Sequence, residues 1–144
     1  MAPCGRFRMT RHGLAERRTA LQKYLLIALG GGLGSMLRFW VGSTVGGRMG
    51  LRFPYGTLVV NITACVILGF LLTWFGERAE VSPAWRYLVA VGFVGAYSTF
   101  STYEWETLST LRSGAFALAS LYAVGSMVAG LAATWCGQAL AEWL

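Results

Sequence analysis

The sequence predicts an all-α membrane protein with four transmembrane helices, the third broken near its middle. Three observations lead there. The 144 residues are 56% hydrophobic and only 12% charged, with a mean hydropathy of +0.55; a soluble domain carries about 25% charge. No charge occurs in residues 53–76 or 114–141, and about 20 apolar residues suffice to cross a bilayer. Finally, a third apolar run gives way to Gly95-Ala96-Tyr97-Ser98-Thr99-Phe100-Ser101-Thr102-Tyr103-Glu104-Trp105-Glu106. Hydrocarbon holds no water for unpaired backbone groups, so such a break is tolerated only inside protein or beside a wet cavity.

Residues 1–22 form a basic segment with Arg6, Arg8, Arg11, Arg17 and Arg18 against a single acid, Glu16. It has no apolar stretch of signal-peptide type and is expected to be a disordered tail. Residues 23–144 are expected to form one transmembrane domain. The first span, residues 24–45, contains Arg38; an intramembrane cation is a functional candidate, although Arg also snorkels to the interface. The second, 55–75, carries Thr57 and Asn61 four apart on one face. The third, 85–112, carries the break near residues 95–99. The fourth, 114–141, places Tyr122, Ser126 and Gly130 along one face. Loops 46–54, 76–84 and 111–114 are short. Trp40, Trp74, Phe75, Trp85, Tyr87 and Trp143 fall near span ends, as an aromatic belt would. Gly30/Gly34, Gly31/Ser35 and Gly125/Ala129 are spaced for close helix packing.

With four spans, Lys23, Arg78 and Arg86 lie on one side and Arg48, Arg52 and Arg112 on the other. The Lys/Arg bias that normally sets orientation is missing from the core, which permits insertion both ways up and an antiparallel homodimer in the lipid bilayer. The basic tail works against that balance. The net charge of +6 sits in the tail and at span ends, so it does not indicate nucleic-acid binding. There is no Asp, and the one His, His12, lies in the tail. An enzyme would need an acid/base or nucleophile set in the spans, so no enzymatic activity is expected. Cys4, Cys65 and Cys136 form no disulfide framework.

Past the break, Phe100, Tyr103 and Glu106 follow at spacings of three and share one helix face. Aromatic rings have positive edges, so two rings turned edge-on can touch a small anion without a full charge. A full charge would hold the ion too tightly for conduction. The competing explanation for the ring pair is core packing. Asn61 has a neutral amide donor suited to an anion, or to an interhelical hydrogen bond; Tyr122 and Ser126 could form a strip of hydroxyl donors, unless Ser126 back-bonds to its own helix.

These residues resemble the small fluoride-channel family, Fluc or CrcB. The resemblance runs from about Gly30 to Leu140. It is carried by Gly31-Gly32-Leu33-Gly34-Ser35-Met36-Leu37-Arg38, by Pro54-Tyr55-Gly56-Thr57-Leu58-Val59-Val60-Asn61, and by the stretch from Gly92 to Glu106. It implies a fluoride-selective channel for passive efflux, built as an antiparallel, dual-topology homodimer with two pores. It assigns Asn61 to a pore amide, Phe100 and Tyr103 to an aromatic box, and Tyr122 and Ser126 to a polar track. Gly95 and Ser98 would lend backbone carbonyls to a central Na⁺ at the dimer axis. Arg38, Thr57 and Glu106 match pore-proximal or structural positions. The chain departs from the pattern at Tyr103, where Phe is typical, at Ser98 in place of Thr, and at Gly130, where a track Ser is expected. The resemblance implies a multi-pass protein of the plasma membrane, the inner membrane if bacterial. The alternative is a four-span, proton-coupled exporter of small cationic drugs, which calls for a membrane-embedded carboxylate.

Overall fold

The computed structural model describes residues 11–50, 52–78 and 81–144, with side chains from Thr19 onward except that of Glu77. Its described residues are helical and contain no strand. Helix α1 spans Arg11–Met49. It begins inside the segment expected to be disordered; residues 1–10 of that segment lie outside the described residues. α1 ends where Gly50 adopts φ +86°, a left-handed conformation that side-chain-bearing residues rarely take. Helix α2, Tyr55–Glu77, follows Pro54, which cannot donate into a preceding turn. Helix α3, Pro83–Trp85, starts at Ser82, whose side chain accepts from the Ala84 amide, with Pro83 preset at the first helical position. The chain then winds as a π-helix over Arg86–Val94 and returns to α geometry in α4, Gly95–Tyr97. Helix α5, Phe100–Arg112, and helix α6, Phe116–Trp143, are joined by a turn in which Gly114 has φ +83°.

Among the described residues, three helical stretches are long and apolar enough to cross a membrane: Thr19–Met49, Tyr55–Gly76 and Phe116–Trp143. The remaining apolar run is shared among the π-helix, α4 and the 13-residue α5. Each of those pieces alone is shorter than the roughly 20 residues a span needs.

Backbone-to-backbone packing at glycines holds these helices together. A Cβ on Gly30 would collide with the Leu88 carbonyl oxygen, and one on Gly34 with that of Phe93. Gly92 reciprocates: its Cβ would come 2.9 Å from the Ile27 carbonyl oxygen. The expected Gly30/Gly34 pair is therefore the seam between α1 and the π-helix. Gly56 seats α2 on Gly42 of α1, while Gly69 and Gly137 seat α2 and α6 on each other at Thr134 and Val66. Within one protomer Gly125 serves no such seam, since the nearest atom is Leu121 Cδ1 at 4.0 Å. The core is the cluster Val60, Ala64, Val94 and Tyr97, with Phe93, Ile67 and Leu71 packed on it. Tyr97 is pinned by a 2.9 Å hydrogen bond between its hydroxyl and Thr63 Oγ1.

The aromatic positions behave differently from one another. Trp40, Trp85 and Trp143 are exposed, whereas Phe75 is buried. The Arg78 guanidinium lies over the Trp74 ring, Lys23 Nζ lies 5.3 Å from the Tyr87 ring centre, and Arg86 donates to the Phe75 carbonyl. The three cations expected to share one side are thus each engaged with aromatic-rich span ends.

Candidate functional site

Ser98 and Thr99 separate α4 from α5 in extended conformation, with φ, ψ of −72°, 157° and −148°, 107°. Ser98 N–H still donates to the Val94 carbonyl at 3.1 Å, so the preceding helix is satisfied up to that point. Thr99 then acts as the N-cap of α5. Its Oγ1 accepts from the Thr102 amide and lies 2.9 Å from Thr102 Oγ1. This is the behaviour of a Thr placed just before a helix start.

Thr99 does not complete the helical ladder behind it. In a continuous helix its N–H would donate to the Gly95 carbonyl, and the Thr102 N–H to the Ser98 carbonyl. Instead Thr99 N–H donates to Asn61 Oδ1 at 2.8 Å, and Thr102 N–H turns to Thr99 Oγ1. Asn61 Nδ2 in turn donates to the Thr99 carbonyl at 3.1 Å.

The structure brings five of the sequence-predicted site residues around one cavity of about 240 Å³: Asn61, Ser98, Phe100, Tyr103 and Ser126, joined by Cys65, Thr99 and Met127. None of the described residues lining it is charged. The Phe100 and Tyr103 rings stand 5.7 Å apart at 36°. Phe100 is 74% exposed on the protomer, whereas Tyr103 is buried and its hydroxyl donates to the Ala123 carbonyl at 2.9 Å. The hydroxyl that distinguishes Tyr103 from Phe is thus tied to α6. Ser126 Oγ is buried with no hydrogen-bond partner among the described residues and does not back-bond to its helix. Gly130 faces Cys65, whose Sγ would lie 3.5 Å from a Cβ there.

The other predicted residues gather elsewhere. Arg38, Thr57 and Glu106 line a second cavity of about 610 Å³, together with Arg52, Tyr55 and Trp105. Thr99 lines both cavities, so they flank the break. Glu106 accepts from Thr57 through one carboxylate oxygen and from Tyr122 through the other, each at 2.8 Å. Tyr122 is 1% exposed, and its ring packs 5.2 Å from Tyr103 and edge-on to Phe53 at 5.3 Å. It lines neither cavity but stands between their walls. Gly95 is not among the residues that line the small cavity.

Sequence reasoning placed Thr57 with Asn61 and Glu106 with Phe100, each on its own helix face. It did not join Thr57, Glu106 and Tyr122, because that network links three helices. It also passed over Thr99. The signal was present: a Thr immediately before an apolar helix start is a capping position.

Comparison with known proteins adds the lineage. The family model described as CrcB-like protein, Camphor Resistance (CrcB), matches residues 25–138. A protein of Solibacter usitatus named Fluoride-specific ion channel FluC is 47% identical over 120 residues, covering 83% of this chain and 98% of that protein. Proteins of the same name from Acidobacterium capsulatum and Chloroflexus aurantiacus are 46% and 38% identical, covering 81% and 85% of this chain and 93% and 98% of their own lengths. The family match takes in α2, the break, the residues lining both cavities and most of the two other apolar helices, and the chain belongs to the CrcB-like protein family.

Proposed function

We propose that this chain is a fluoride-selective ion channel that lets F⁻ leave the cell passively. The observation that carries the reading is the uncharged cavity beside the break. It offers an amide, two aromatic rings and a buried hydroxyl with no protein partner. Neutral donors and ring edges give an anion a site it can leave again. The relatives' shared name supplies the identity of the ion. Neutral HF enters cells and dissociates inside, and an anion pathway then lets F⁻ run down its gradient without an energy source.

In this reading the protein has four spans. The third is the run from α3 to α5, interrupted at Ser98 and Thr99. Residues 23–144 form the channel domain and residues 1–22 a basic extension. Two copies pair antiparallel in the plasma membrane and make two pores. Balanced charge at the two ends of the core supports dual insertion. Each protomer exposes apolar surface, including Phe100, Leu121, Met127 and Trp135. That surface needs either acyl chains or a second copy against it.

A central Na⁺ fits the residues present. The Gly95 and Ser98 carbonyls have lost their helical donors to Asn61 and Thr99, and carbonyls at an unwound segment are the groups that hold such ions in membranes. Bound there, the ion would supply positive charge to those freed carbonyl dipoles. The exporter alternative calls for a carboxylate in the transport cavity. The small cavity has none among its lining residues, and Glu106 is occupied by two hydroxyl donors. Purified protein in liposomes, read with a fluoride-selective electrode, should pass F⁻ and exclude Cl⁻ without a proton gradient. Equal passage of both ions, or flux only under a proton gradient, refutes the reading.

A further inference from the structure

Asn61 is assigned above to the pore wall, but most of its hydrogen bonding is spent elsewhere. At the break the Thr99 peptide leaves the helix, and both its polar groups need partners at membrane depth. The Asn61 side chain supplies both, as another peptide would: Oδ1 accepts from Thr99 N–H at 2.8 Å and Nδ2 donates to Thr99 C=O at 3.1 Å. The orientation of the amide is dictated by its partner, since a peptide N–H can only donate and a carbonyl only accept.

The consequence falls on a neighbouring residue. Every Thr99 N–H bonded to Asn61 is one not bonded to the Gly95 carbonyl. With Thr99 held extended, the Thr102 amide is drawn to the Thr99 cap, away from the Ser98 carbonyl. We propose that Asn61 is the positioning residue of the cation site: by clamping the Thr99 peptide it keeps the Gly95 and Ser98 carbonyls out of helical hydrogen bonding and available to Na⁺. This rests on the reading of the protein as a channel with a central Na⁺. One of the two amide hydrogens of Asn61 remains for the small cavity, so a single side chain serves both the anion wall and the cation site from opposite edges.

The two roles separate by substitution. Asn61→Ala removes both clamp bonds. Asn61→Asp keeps an acceptor for Thr99 N–H, loses the donor, and places a negative charge on the cavity wall. The experiment measures the melting temperature of the full-length dimer in detergent with Na⁺ replaced by N-methylglucamine at matched ionic strength, and fluoride flux in liposomes separately. A ligand bound only by the folded state raises the melting temperature, here by about 3 °C or more for the wild type. The expected result is loss of the Na⁺ shift in Asn61→Ala, with the dimer intact on gel filtration. Asn61→Asp should keep at least half the shift while losing fluoride flux. An undiminished Na⁺ shift in Asn61→Ala overturns the proposal. So does loss of the shift in Asn61→Asp, which decides the matter if the alanine variant does not fold. A wild type with no Na⁺ shift also overturns it; fluoride flux in that same protein would leave the channel reading standing.

Discussion

Two glycines of α1, two residues apart, should respond to the same substitution with opposite signs. A Cβ at Gly34 would overlap the Phe93 carbonyl oxygen and lie 3.0 Å from the Phe93 carbonyl carbon and 3.1 Å from the Tyr97 amide nitrogen. All three are backbone atoms and cannot rotate away. α1 must therefore retreat, which also loosens the Gly30 contact one turn earlier. Forcing a methyl group into a packed interface costs about 1–3 kcal/mol, and the better helix propensity of Ala returns about 1 kcal/mol. Taking the upper end, Gly34→Ala is less stable by about 2 kcal/mol, with a melting temperature lower by about 8 °C. Among the described residues of the protomer, a Cβ at Gly32 would meet nothing within 4 Å. Gly32→Ala should keep only the propensity gain and melt at or slightly above the wild-type temperature. Because Phe93 and Tyr97 immediately precede the break, Gly34→Ala should also slow fluoride flux. Melting curves of both variants in detergent, with liposome flux, test this. A Gly34→Ala protein that melts at or above the wild type would show that the seam between α1 and the π-helix is not as close as described.

Three further outcomes are expected. Ser126→Ala removes a buried hydroxyl that has no partner; it should leave stability unchanged or raise it by about 1 kcal/mol while slowing flux, and a clear drop in melting temperature would assign Ser126 a structural bond. Tyr122→Phe deletes one of the two hydroxyls on Glu106 and should cost about 1.5–3 kcal/mol; combined with Thr57→Val, a double-mutant cycle on melting should be non-additive, since both act on one carboxylate. Phe100→Ile keeps an apolar side chain but removes the ring edge, so fluoride flux should fall with the gel-filtration profile unchanged; unchanged flux would show that the Phe100 ring does not line the anion path.

Much of this architecture is legible in the residues because the bilayer imposes simple demands. Charge-free stretches read as spans: residues 55–75 and 114–141 correspond closely to α2 and α6. The Gly30/Gly34 spacing reads as a helix seam for the same reason, since only small residues let backbones meet. Gly95-Ala96-Tyr97-Ser98-Thr99 reads as an interruption because hydroxyl and glycine clusters satisfy freed backbone groups. Asn61, Phe100, Tyr103 and Ser126 were visible one helix at a time, as polar or aromatic positions on apolar faces.

What the sequence determined by itself was therefore the class of molecule, the limits of its apolar runs, and which residue types the site contains. Tertiary structure alone decided who meets whom. Periodicity along one helix does not reveal that Glu106 is shared by Thr57 and Tyr122 from two others, nor that Asn61 turns its amide to the Thr99 peptide. The π winding of Arg86–Val94, which lies against α1 at Gly30 and Gly34, was equally hidden. The physical reason is common to all three: hydropathy and helical repeat are properties of one segment, whereas a hydrogen bond between helices depends on their relative placement.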